Sequence, residues 1–252
     1  MGDAFRLENP AQPPTVTDAP AALVLVLEAS TGAASVALLR GDALLGVRAV
    51  AMGASRDDAM FPAIQTLLAD ADVAVHDLDA IVCGAGPGSF TSLRIAAALA
   101  KGLSHAASVP LYAVPSLLLA AAAFAAHATS HAGSPASDGR LLVHSDALRD
   151  ERYVMPVHVH ADGTVRADGD VERVPVAALA MRAGDRVLLA VAGGSATFAA
   201  PVASPDAAAL TRVAGWRTHG AVDTATWEPA YGRLAEAQVK WEAQHQRPLE
   251  IG

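Results

Sequence analysis

From Asp79 to His105 the chain reads DAIVCGAGPGSFTSLRIAAALAKGLSH, and no other stretch restricts the fold as much. An apolar strand, Ala80 to Cys83, runs into Gly84, Gly86, Pro87 and Gly88, and then into a segment walled by small side chains. Glycine tolerates the tight turn and positive φ that other residues resist. Ser89 or Thr91 is placed to cap the helix that follows. Such a turn leaves backbone N–H groups pointing outward at a helix N-terminus, where an anion is welcome. The helix itself carries Leu93, Ile95, Ala96, Ala97, Ala98, Leu99, Ala100, Gly102, Leu103 and Ala106, so another backbone can approach it closely. The stretch reads either as a phosphate cradle or as a helix for a partner.

The rest of the chain limits both readings. A length of 252 residues suffices for one or two domains with a core, and a net charge of −8 argues against a general nucleic-acid surface. Apolar residues make up 52% but aromatic ones only 4%, which predicts a finely packed, alanine-rich core. The single cysteine, Cys83, lies in an apolar strand and reads as a small core residue; a disulfide framework within the chain is excluded. The polar, proline-rich start (1–21) lacks the pattern of a signal peptide and reads as a disordered tail. The longest apolar run, Leu117–Ala126, is too short to span a bilayer, so a cytoplasmic protein is expected.

In order, Leu23–Glu28 (LVLVLE) is expected to be a strand buried on both faces, followed by strands Ala33–Arg40 and Ala43–Met52 around a Gly41-Asp42 hairpin. A helix is predicted from Arg56–Asp58 to Asp70, with Met60, Phe61, Ile64, Leu67, Leu68 and Ala71 on one face and Pro62 in its first turn. The strand, glycine turn and small-residue helix follow. Strand Pro110–Val114 comes next, then an alanine-rich helix capped by Ser116 and ending near Ser130. After a Gly/Ser/Pro connector the pattern restarts. Strands Leu141–Asp146, Arg152–His160 and Thr164–Val174, a helix Val176–Ala183 and a strand Arg186–Ala192 form a degenerate second copy. The expected fold is therefore α/β, a tandem actin-like (ribonuclease-H-like, ASKHA) duplication of two βββαβαβα-type subdomains. They cover 22–131 and 132–225, and a C-terminal helix (Tyr231–His245, within 226–252) packs back on the first. Residues 196–220 carry no clear pattern.

GPGSFTSLR at Gly86–Arg94, with EAST closing the first strand, resembles the TsaB family, also called YeaZ. MFPAIQTLL (Met60–Leu68), DLDAI (Asp77–Ile81), DALRDERY (Asp146–Tyr153) and PAYGR (Pro229–Arg233) match further family elements. The chain departs from the family in Glu28, usually Asp, in Ser92, usually Gly, and in Ser55-Arg56, often His-Ser. The resemblance implies a non-catalytic partner that binds and activates a TsaD-type paralogue. That enzyme threonylcarbamoylates the adenosine beside the anticodon in tRNAs reading codons that begin with A. It further implies a TsaE-type ATPase in the same complex, only indirect contact with tRNA, no membrane, and self-association through the same helices that bind the partner. On that reading the interface comprises Met60, Ile64, Leu67, Leu68, Ile95, Ala98, Leu99, Gly102 and Leu103; by periodicity alone these residues could equally face the protein's own sheet.

The residues give little support for independent chemistry. TsaD-like paralogues carry a His-x-x-x-His pair just after the fifth strand, where this chain has Val114-Pro115-Ser116-Leu117-Leu118-Leu119. His127 and His131 have the right spacing but no evident third ligand, and His144, His158 and His160 read as strand residues rather than a metal site. Of the loops that bind nucleotide in kinases of this fold, only EASTG (Glu28–Gly32) is plausible; ALRDE (Ala147–Glu151) has two acids and no glycine. Ser30, Thr31, Gly86, Gly88, Ser89 and Arg94 are the candidates for a vestigial anion or nucleotide turn, with Arg94 free either to bind an anion or to pair with Glu28. No catalytic residue, cofactor or metal is expected. A small ATP-dependent phosphotransferase of the same superfamily is the alternative; a glycoprotease lacks both metal ligands and nucleophile.

Overall fold

Strand β1, Leu23–Glu28, is buried almost throughout and divides two cores by its alternation. Leu25 and Leu27 point into one core and Val24 and Val26 into the other, as a period of two requires. The computed structural model that shows this describes residues 21–52, 59–128, 139–193 and 200–231, together with Gln244. Around β1 stand β2 (Ala33–Arg40) and β3 (Ala43–Ala51), antiparallel, and β4 (Ala80–Gly84) and β5 (Leu111–Val114), parallel, in the order β3-β2-β1-β4-β5. One face is covered by α1 (Met60–Asp70) and α2 (Phe90–Ala107).

The other face meets α3, Ser116–Ala128, whose residues Leu117–Ala123 and Ala125 are all buried. A helix apolar on every side belongs inside a protein. Here it lies between the first sheet and a second one, and one core joins Val24, Val26 and Val82 to Val143, Met155 and Val157 through it. The alanines suit this position because small side chains let both sheets close on the helix.

The second sheet repeats the first. Its strands are β6 (Gly139–Asp146), β7 (Glu151–Val159), β8 (Val165–Ala167), β9 (Glu172–Pro175), β10 (Val187–Val191) and β11 (Val202–Ala203). They are ordered β11-β10-β6-β7-β8, with β9 also on β7. With β6 in the place of β1, the order and strand directions of the first sheet recur.

Several expected elements differ. The single strand over Thr164–Val174 is two, β8 and β9, pairing with opposite ends of β7. Between them Gly169, at φ +156°, passes so close to Pro156 that a Cβ there would lie 2.9 Å from its Cγ. The helix over Val176–Ala183 is a single 3-10 turn followed by α4, Leu179–Ala183. Ser116 does not cap α3 from outside; it is the first helical residue and its hydroxyl turns inward. Phe61 is 45% exposed, not part of the buried face of α1. In 200–220, 3-10 turns at Ala207–Arg212 and Trp216–His219 accompany β11. The start of the first helix before residue 59, the N-terminal tail, the connector at 132–138 and nearly all of the C-terminal helix lie outside the described residues.

Candidate functional site: the glycine turn and the open face of helix α2

The end of β1 and the glycine turn are locked by one carboxyl group. Glu28, 1% exposed, accepts hydrogen bonds from the Ser30 amide (2.6 Å) and the Ser116 hydroxyl (2.8 Å). The Ser116 hydroxyl in turn accepts from the Gly86 amide at 3.1 Å. Burial raises the Glu28 pKa above its ordinary value, against the lowering effect of these hydrogen bonds. Gly84 lies against the same carboxyl, and a Cβ on it would overlap Oε2. Gly88 packs directly on the Ser30 carbonyl, which accepts from the Ser89 amide at 2.8 Å. These glycines are there because backbone meets backbone and carboxyl at contact distance.

Above the turn lies a cleft of about 400 Å³, lined among others by Ser30, Thr31, Gly88 and Ser89 on one side and Asp146 on the other. Two of the residues read as anion candidates are elsewhere. Gly86, at φ +81°, is pressed against the Ala230 carbonyl, and the Arg94 guanidinium sits 5.3 Å from the centroid of the Phe90 ring and is not paired with Glu28. Ser89 occupies the position before α2 but does not cap it; its hydroxyl pairs with that of Ser92 at 3.1 Å. Across the cleft, Asp146 accepts from the buried Arg152 guanidinium at 2.9 Å. The loop beyond it holds Leu148, Arg149 and Asp150 at φ +62°, +50° and +58°. Three consecutive left-handed residues without a glycine are costly, and nothing in the residue types marks them in advance.

The residues proposed for partner binding separate into two groups. Met60, Ile64, Leu67, Leu68 and Leu103 are consumed by the protein's own core against β1, β2 and β4, so the interface reading is corrected for these five. Periodicity finds an apolar face but does not say what it meets. Ala98 and Gly102 are exposed, Ile95 and Leu99 half-buried, and a Cβ on Gly102 would meet nothing within 4 Å. This open face of α2 flanks a segment of which the sequence marks only the end, PAYGR at Pro229–Arg233. Residues 222–231 return from the second sheet, bonding Val222 to Leu111 and Ala230 to Ala85 at 2.8 Å each. Trp227 packs into the core beside Lys101, and the Tyr231 ring lies 4.7 Å from that of Phe90. The strap covers one flank of α2 and leaves the small-residue face open.

Among the histidines, His127 is exposed and His131 lies outside the described residues. The rings of His158 and His160 are 4.6 Å apart, while His144 is buried, with its pKa lowered by burial and by Arg152. Among the described residues no group of three or more His, Cys, Asp or Glu side chains is placed to hold a metal ion. Nor is any helix there long and apolar enough to cross a membrane. Cys83 is buried, its pKa raised by burial, and behaves as a core residue.

Two sheets with the same strand order, a helix shared between them and a cleft over the ends of β1 and β6 define an actin-like duplicated α/β protein. Comparison with known proteins narrows the class. Residues 54–168 match the family described as TsaD, tRNA N6-adenosine threonylcarbamoyltransferase. YeaZ from Pseudomonas aeruginosa superposes with a TM-score of 0.67 at 28% identity, over 83% of this chain and 99% of that one. The tRNA threonylcarbamoyladenosine biosynthesis protein TsaB of Bacillus subtilis is 36% identical over 94 residues, 37% of this chain and 41% of that protein. Uncharacterized protein Mb3455c of Mycobacterium bovis is 32% identical over 193 residues, 72% of this chain and 78% of that protein. The chain belongs to the TsaB/YeaZ family.

Proposed function

We propose that this protein is a non-catalytic subunit for threonylcarbamoylation of the adenosine beside the anticodon, and that it binds and activates a TsaD-type paralogue through the open face of α2. The observation that carries the reading is this face. Ile95, Ala98, Leu99 and Gly102 present small and apolar groups on a helix whose opposite side is already packed on the sheet. An exposed glycine inside a helix sacrifices stability unless a close approach needs it. The cleft supports an accessory role. Asp150 and Glu151 lie in the loop where a kinase of this fold would hold phosphate, and their charges repel it. A TsaE-type ATPase would join the assembled pair, tRNA would be met through the enzyme, and the free subunit would pair with itself through the same helix.

Co-expression with the TsaD-type protein of the same organism tests the proposal. A single heteromeric peak in size exclusion is expected. Two separate peaks, with both proteins folded, would contradict it.

A further inference from the structure

A second cavity, of about 540 Å³, lies away from the glycine turn, where three parts of the chain meet. Val114 and Leu118 of the β5–α3 junction form one wall, Met155 of β7 another, and Trp216 of the segment returning to the first sheet a third. The Trp216 ring lies edge-on to Tyr112 at 5.2 Å and is covered on another side by the Arg217 guanidinium at 4.1 Å. An aromatic wall and a volume of this size are what a small-molecule site needs. The rim carries two charged side chains of opposite sign, Arg166 of β8 and Asp170 just beyond it. Neither side chain forms a hydrogen bond or ion pair among the described residues.

We infer that this cavity binds a small apolar zwitterion, of which a free amino acid with a large hydrophobic side chain is the simplest. The carboxylate is taken by Arg166, the ammonium by Asp170, and the side chain by the apolar walls. The charges decide the class. A simple anion would face Asp170 and a simple cation Arg166, whereas a zwitterion meets an opposite charge at each end. Because the walls come from both sheets, a bound ligand also ties the two halves of the molecule together and stabilises the folded chain by mass action.

The test is a titration of the full chain with L-phenylalanine, followed by tryptophan fluorescence and by thermal unfolding. Saturable binding of one molecule per chain is expected, with hydrocinnamate (no ammonium) and phenethylamine (no carboxylate) about tenfold weaker or worse. Arg166→Gln should weaken phenylalanine about tenfold while tightening phenethylamine, which no longer meets a like charge, and Asp170→Asn should weaken phenylalanine likewise while tightening hydrocinnamate. Both residues are exposed, so the variants keep the fold. Ala214→Phe, at an exposed lining position, should close the site. The inference fails if phenylalanine does not saturate, if either single-charge analogue binds as well, or if binding ignores all three substitutions.

Discussion

Adding one methyl group at Gly84 should unseat the buried Glu28 carboxyl. The new Cβ would overlap Oε2 and lie 2.8 Å from Cδ and 3.1 Å from the Ser116 hydroxyl. The carboxyl has to rotate away, which breaks the 2.8 Å bond from Ser116 and leaves a buried oxygen unsatisfied. A lost partner of this kind costs about 1–3 kcal/mol, and an off-rotamer side chain about 0.5–1.5 kcal/mol more. Replacing a strand glycine by alanine returns about 0.5–1 kcal/mol of backbone entropy. The net expectation is a loss of about 2–3 kcal/mol, or about 4–12 °C in Tm for a chain of this size. Circular dichroism melts and urea unfolding measure it. The double variant Gly84→Ala, Glu28→Asp sharpens the test, because the shorter acid withdraws from the space the methyl takes. It should be less destabilised than the sum of the single variants by more than about 1 kcal/mol. An unchanged or raised Tm for Gly84→Ala, or strict additivity in the pair, would refute the reasoning.

Other outcomes follow from the same geometry. Burial raises the Glu28 pKa, so the folded state holds its proton more tightly than the unfolded one. That contribution is fully present below the ordinary carboxylate range and is lost as pH rises through the raised value. Glu28→Gln should flatten this fall in urea unfolding measured across a pH series. Gly86→Ala places a side chain at φ +81° against the Ala230 carbonyl and should destabilise by more than about 1 kcal/mol, detaching the 222–231 strap as seen by faster amide exchange at Ala230. Arg152→Ala leaves Asp146 without the 2.9 Å bond of a guanidinium only 6% exposed and should cost about 2–4 kcal/mol in chemical denaturation.

Much of the fold is legible in the residues, and the failures have physical causes. LVLVLE reads as a doubly buried strand because its apolar run has no polar face, and Gly41-Asp42 and the glycine turn mark their own bends. The split of β8 from β9 is hidden because its cause, the packing of Gly169 on Pro156, joins residues distant in sequence. Ser89 and Ser116 look like caps by position, yet their hydroxyls are claimed by Ser92 and Glu28. The candidate interface is half legible. One apolar face on α1 and α2 is evident, but only tertiary packing shows that Met60, Ile64, Leu67, Leu68 and Leu103 are spent on the sheet while Ala98 and Gly102 remain outside. The cavity beside Trp216 left only one faint trace, a tryptophan within the patternless stretch at 196–220.

The central claim, that the open face of α2 is the docking surface for a TsaD-type partner, rests most directly on the contrast between two substitutions at Gly102. Nothing lies within 4 Å of a Cβ there, so both alanine and arginine leave the free protein folded. Alanine should stabilise the helix by about 1 kcal/mol. Titration calorimetry against the partner enzyme should show Gly102→Ala, whose methyl enters the close approach, binding about tenfold more weakly than the natural chain. Gly102→Arg, which forces a charge into a desolvated contact, should bind at least about a hundredfold more weakly. Equal affinity for the arginine variant would contradict the account.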